Sequence, residues 1–229
     1  MEAVYAENLT PEHSIIELSA AEAKHCRVRR MKDSDTVIVL NGKGLASLGV
    51  LRIDDKNDTI SVQCKQFKEK YGESSYDTTI MLGWLDNKER LEFAIEKCTE
   101  LGIKRFILTR TQFSSQKKPD ALRLQEKIIA TIKQCKRALL PHIIIKNNVK
   151  EALSLLHDVH IFIADAKGTP LSSPTDNTCF CIGPEGGFST EELELLQKNN
   201  GGATFVSLGT TRLRAETAAI AASVLLHIR

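Results

Sequence analysis

The residues best suited to chemistry in this 229-residue chain lie in two short loops. In CIGPEGGFSTEELELL (181–196) an apolar run ends at Gly183. It turns through Pro184, Glu185, Gly186 and Gly187, then restarts as an amphipathic helix. Lacking Cβ atoms, Gly183, Gly186 and Gly187 can take unusual dihedrals and let the backbone approach a flat ligand closely. Ser189 is placed to cap the helix, with Glu192 three residues on completing a capping box, so the helix satisfies its own free amides. That argues against a phosphate on the helix end and for a neutral or cationic ligand held by loop backbone. A purely structural turn accounts for the same residues.

The second loop, SLGTTRLRAETAA (207–219), sets Arg212, Arg214 and Glu216 in alternation just before an alanine-rich helix. Cations at a helix N-terminus oppose the macrodipole, a cost that packing does not require, so function explains them more readily. The bland alternative is a structural ion pair between Arg214 and Glu216. Neither GxGxxG nor GxxxxGK[ST] occurs, which removes the two commonest nucleotide-binding fingerprints.

These loops need a scaffold. The first third of the chain reads as β: TVIVL (36–40), the turn NGKG (41–44), LASLGVLRI (45–53) and TISVQCKQF (59–67) predict a meander. A short helix precedes it, with Ser19 and Glu22 as a capping box. The polar stretch EKYGESSYD (69–77) predicts a linker, which divides the chain into domains at 1–72 and 73–229. Strands and helices then alternate. Strands are expected at 78–84, 105–109, 159–165, 178–183 and 203–209. Helices are expected at 88–102, 119–140, about 149–157, 189–199 and 214–228. Continuously apolar strands in such alternation predict a mostly parallel sheet covered on both faces, with ligands beyond the strands' carboxyl ends.

The chain has 31 Lys+Arg against 29 Asp+Glu, a net charge of +2 that says nothing about nucleic acid. The distribution says more. KHCRVRRMK (24–32) carries five cations and no acid, and KQCKR (133–137) carries three. Such patches suit a surface that meets phosphates, and they also suit a solvated helix face. The six cysteines form no CxxC and the histidines are isolated, so reduced buried thiols are expected and no metal site. No apolar stretch is long enough for a bilayer span and the first residues do not form a signal peptide. The expectation is a cytosolic location.

IGPEGGFSTEE and SLGTTRLRAETAA, together with KERLEFAIEKCTELGI (88–103), QCKRALLP (134–141) and RRMKDSDTVIVLNGKG (29–44), resemble the RsmE family of ribosomal RNA methyltransferases, in the SPOUT class. The resemblance covers nearly the whole chain. It implies an α/β fold, a SPOUT-type parallel sheet with a C-terminal trefoil knot, preceded by a small PUA-like β-barrel that binds RNA. It implies a homodimer that uses S-adenosyl-L-methionine to methylate N3 of a uridine in 16S ribosomal RNA on the small subunit. The alternatives are another RNA or ribose oxygen as acceptor, or a non-catalytic assembly factor. Carried over by residue, Ile182, Gly183, Pro184, Glu185, Gly186 and Gly187 would form one cofactor loop, and Leu208, Gly209 and Leu213 another. Arg214 and Glu216 would stand at the reacting base. RNA contacts would fall to Arg27, Arg29, Arg30, Lys32, Lys136, Arg137 and Arg212. The chain departs from the family pattern at Thr211, where an arginine is common, at Arg212, in an aliphatic position, and at Leu139, again in place of an arginine. Those departures bear on RNA contacts rather than on the cofactor loops.

Overall fold

The β-branched and apolar runs of the first third do form strands. In the computed structural model, which describes residues 1–171, 177–199 and 202–227, the chain divides into two compact units. The first comprises Met1–Glu73 and Ile129–Leu140, the second Ser74–Ile128 and Pro141–Arg229.

The first unit holds β1 (Ala3–Tyr5), β2 (Ile15–Glu17), α1 (Ala20–Val28), β3 (Thr36–Leu40), β4 (Leu45–Asp54) and β5 (Thr59–Glu69). Its five-stranded sheet runs β1-β3-β4-β5-β2, with β3, β4 and β5 as the expected antiparallel meander. Asn41 organises the turn between β3 and β4: its side-chain oxygen accepts from the amides of Lys43 (2.7 Å) and Leu45 (2.9 Å). Val4, Val37, Val39, Leu51, Ile60 and Val62 fill the core. At α1 only half of the expected capping box forms. Ser19 Oγ accepts from the Glu22 amide (3.3 Å), but the Glu22 carboxylate accepts instead from the Tyr5 amide (3.2 Å) and from Lys133 Nζ (2.6 Å). A charged ammonium and a strand amide outcompete the cap for a buried acid.

The second unit holds β6 (Thr78–Gly83), α2 (Lys88–Glu100), β7 (Arg105–Thr109) and the start of α3 (Ala121–Cys135), whose residues from Ile129 on group with the first unit. It continues with β8 (His142–Lys146), α4 (Val149–Leu153), β9 (His160–Thr169), β10 (Thr178–Ile182), α5 (Thr190–Lys198), β11 (Ala203–Val206) and α6 (Ala215–His227). The sheet order is β11-β9-β10-β6-β7-β8, and every neighbouring pair is parallel. On one face Met81, Ile107, Ile161, Cys179 and Cys181 pack with Val149, Ala152 and Leu196 from α4 and α5. On the other, α6 packs on β6, β10 and α2.

The expected helix at 119–140 is shorter than its apolar periodicity suggests. Lys136 adopts a left-handed conformation (φ 59°) that ends α3, and the run HIIIK becomes the edge strand β8. The last helix is described to His227, so its expected end at Ile228 lies outside the described residues. Cys26, Cys64, Cys98, Cys179 and Cys181 are buried free thiols, and burial pushes Cys98 up to about 12. Among the described residues no helix is long and apolar enough to cross a membrane.

Candidate active site

The central strands place the two loops. β6 leads on to β7 on one side, while β10 enters on its other side, so the direction of winding reverses between them. Crevices at such switch points take ligands in open α/β sheets. The turn after β10 folds onto the end of β6: a Cβ at Gly83 would lie 2.5 Å from Cδ of Pro184. Within the turn the Gly187 amide donates to the Pro184 carbonyl (2.8 Å), and Gly187 has φ +76°. A Cβ at Gly183 would sit 2.7 Å from the Gly187 carbonyl carbon, and one at Gly186 would sit 2.7 Å from Cβ of Phe113. The predicted capping box is present. Ser189 Oγ accepts from the Glu192 amide (3.3 Å), Glu192 Oε2 accepts from the Ser189 amide (2.9 Å), and its Oε1 accepts from the Gln112 amide (2.8 Å).

The second loop follows β11. The Gly209 amide donates to Ser207 Oγ (3.4 Å), whose hydroxyl donates to the Gly209 carbonyl (3.1 Å). Gly209 has φ +134° and a Cβ there would meet nothing within 4 Å, so this backbone faces open space. Arg212 joins the loops by donating from NH2 to the Glu185 carbonyl (3.3 Å). Ile182, the last residue of β10, is buried beneath them, while Leu208 and Leu213 are half-buried. Gly187 and Gly209 leave open space where a Cβ would stand, so backbone there can approach a flat, uncharged or cationic molecule closely.

Beside them is a cleft of about 660 Å³, lined by Asn87, Arg90, Phe93, Leu213, Arg214 and Glu216 among others. Arg214 is exposed. Glu216 is 8% exposed, and its partner is not Arg214. Arg90 Nε lies 3.7 Å from Glu216 Oε1, and Arg90 NH1 lies 3.7 Å from Glu185 Oε1. Glu216 Oε2 is buried with no hydrogen-bond partner. Such an oxygen costs about 1–3 kcal/mol if it is left so, which makes it an acceptor in want of a proton.

Sequence reasoning missed Arg90, which reads as one more polar position on an amphipathic helix. A signal was present. Asn87 caps α2 by accepting from the Arg90 amide (2.8 Å), which puts a cation in a helix's first turn. That is the feature which singled out Arg214.

The basic residues of the first unit separate into two kinds. Arg29, Arg30, Lys32 and Lys136 are accessible at the surface. Arg27 is exposed too but donates to the carboxylate and carbonyl of Asp58. Arg137, expected at an RNA surface, has to be corrected. It is 2% exposed, and its NH2 donates to Glu73 Oε2 (2.8 Å) while Glu73 Oε1 accepts from the Leu139 amide (3.0 Å). A guanidinium buried against its own carboxylate cannot reach a phosphate.

Residues 72–227 match the family described as RNA methyltransferase domain. Over 96% of this chain and 92% of its own length, a ribosomal RNA small subunit methyltransferase E of Rickettsia conorii is 29% identical. The crystal structure of a ribosomal RNA small subunit methyltransferase E from Neisseria gonorrhoeae bound to S-adenosyl methionine superposes with a TM-score of 0.88. It covers 97% of this chain and 95% of that one at 22% identity. A probable rRNA-methyltransferase from Porphyromonas gingivalis superposes with a TM-score of 0.82 over 99% of this chain and 97% of its own, at 26% identity. The chain belongs to the RNA methyltransferase domain family, and over nearly its whole length it is similar to ribosomal RNA small subunit methyltransferase E proteins.

Proposed function

We propose that this chain methylates N3 of a uridine in 16S ribosomal RNA, on the small subunit, with S-adenosylmethionine as methyl donor. One observation carries the reading: a buried carboxylate, Glu216, has one oxygen at ion-pair distance from Arg90 and the other without a partner, at a cleft beside two glycine loops.

The loops fit the cofactor. Gly183, Glu185, Gly186 and Gly187, with Ile182 and Pro184, would form one wall, and Leu208, Gly209 and Leu213 the other. Backbone groups suit an adenine edge, and the self-capped α5 leaves no helix end that calls for phosphate. Once bound, the sulfonium supplies a methyl group already activated for transfer. The chain's own work is then deprotonation and alignment. Uracil N3 carries a proton and is a poor nucleophile until that proton leaves. Glu216 accepts it as general base and later releases it to solvent. The departing proton leaves negative charge on O2 and O4, which the exposed Arg214 stabilises as an oxyanion site does.

The first unit is read as a PUA-like barrel that docks RNA through Arg29, Arg30, Lys32 and Lys136, with Arg27 and, at the catalytic loops, Arg212. Residues 73–229 are read as a SPOUT domain with a C-terminal trefoil knot. A homodimer is supported by α6, which is apolar nearly all round yet leaves Ile220, Ala221, Val224 and Leu225 only half-buried. The cytoplasm, where ribosomal subunits are substrates, is its place of work.

The test is transfer of radiolabelled methyl to small subunits lacking the modification, with the product nucleoside mapped by mass spectrometry. N3-methyluridine is expected. A ribose-methylated product, or label only in another RNA, would move the reading to a different acceptor. No transfer at all, with no cofactor affinity, would make the chain a binding factor.

A further inference from the structure

We propose that Arg90 is a positioning residue for methyl transfer, acting through Glu216, and that Glu185 holds it in place. The proposal rests on the function proposed above. Arg90 stands between two carboxylates that come from different loops. Its Nε is 3.7 Å from Glu216 Oε1 at the start of α6, and its NH1 is 3.7 Å from Glu185 Oε1 in the turn after β10. Its backbone is fixed as well, because its amide donates to the Asn87 cap of α2 (2.8 Å). The residue is therefore tied at its backbone by a helix cap, and its guanidinium lies at ion-pair distance from Glu185.

Glu216 has few other constraints. Among the described residues no second cation lies within ion-pair distance of it, and Arg214, two positions earlier, is exposed. A carboxylate can rotate about its last side-chain bond. The charge of Arg90, 3.7 Å from Oε1, favours the orientation seen here, and this assigns Oε2, the buried oxygen without a partner, to the incoming imino proton. Proton transfer needs the acceptor within hydrogen-bond reach in the correct orientation, and a misplacement of about 1 Å costs on the order of a hundredfold in rate. Glu185 gains a role here that backbone contact to a cofactor would not require of its side chain. It balances the pull of Glu216, so that the guanidinium stays at the cleft wall rather than swinging into the space a uracil needs.

A merely structural pin would show the same distances, so the experiment has to separate the two. Single-turnover transfer to unmodified small subunits is measured for the full-length protein and for Arg90→Gln, Arg90→Lys, Glu216→Gln and the Arg90→Gln/Glu216→Gln double variant. Cofactor affinity by calorimetry and the thermal midpoint are measured alongside. Arg90→Gln is expected to lower the transfer rate about a hundredfold, with cofactor Kd changed less than about threefold. Arg90→Lys should recover part of that loss. In the Glu216→Gln background, removing Arg90 should cost less than about threefold more, because residues that act as a unit are not additive. Losses that multiply in the double variant would overturn the proposal. So would an Arg90→Gln defect confined to cofactor affinity or to stability, or a Glu216→Gln protein with full activity. If the wild-type protein forms no N3-methyluridine, the functional reading falls first and takes this proposal with it.

Discussion

Glu216 faces Arg90 across 3.7 Å, although Arg214 stands only two residues away in the chain. The alternation of Arg214 and Glu216 places them on one loop, but the first turn of α6 carries the glutamate inward and leaves the arginine exposed. The two cations are thereby separated, with Arg90 at ion-pair distance from the carboxylate and Arg214 exposed.

From that separation, Glu216→Gln should lower methyl transfer by about 10²–10⁴-fold, the usual range for a lost general base. Cofactor affinity should stay within a few-fold of wild type. Single-turnover kinetics with calorimetry checks both, and a variant that loses cofactor binding and rate in parallel would move Glu216 into the cofactor site.

Gly183→Ala puts a methyl group 2.7 Å from the Gly187 carbonyl carbon, a distance that backbone cannot accept without moving. Gly209→Ala meets no neighbour but forces an L-residue to φ +134°, a strain on the order of 1–3 kcal/mol. Both should weaken S-adenosylmethionine binding by roughly tenfold or more, the first through shape and the second through backbone conformation. Calorimetric Kd values against thermal midpoints would show whether the change is local to the loops.

Arg137→Ala should act on stability rather than on RNA. It leaves the Glu73 carboxylate buried with only the Leu139 amide among its present contacts, and breaking such a pair costs about 3–5 kcal/mol. The urea midpoint of the first unit's transition should fall, while the salt dependence of RNA affinity in the still-folded fraction stays as in wild type.

Arg29→Gln with Arg30→Gln should do the reverse. Both side chains are exposed, so the fold should tolerate their loss. Each phosphate contact removed from a single strand should flatten the slope of log K against log salt by about 0.7. An unchanged slope would show that the patch only meets solvent. Arg27→Gln should matter less, since Asp58 already holds that guanidinium.

Much of the scaffold could be read from composition and period. Thr36–Leu40 and Arg105–Thr109 have the bounds their β-branched runs suggest, and the capping box at Ser189 and Glu192 is built as its spacing implies. What escaped has a common cause. β1 and β2 are three residues each, too short for an alternation to show, and they exist because neighbouring strands supply partners. β8 was hidden because the apolar spacing of α3 runs on past Lys136, where one left-handed residue ends the helix six residues before the strand begins. Glu22, Arg137 and Arg90 look like surface residues in sequence. Their partners lie far along the chain, at Lys133, Glu73 and Glu216, and only tertiary structure brings those charges together.

The contact between Gly83 and Pro184 also bears on the order in which the chain folds. β10 enters the sheet between β9 and β6, and its partner Thr78–Gly83 lies about a hundred residues earlier. Contacts across so long a stretch carry a large loop-closure cost and form late. The turn at 183–187 can settle on Gly83 only after that insertion. A chain able to bind its ligand has therefore already made the strand pairing that spans the most sequence. Ligand added during refolding should stabilise the finished sheet by mass action without hastening its assembly.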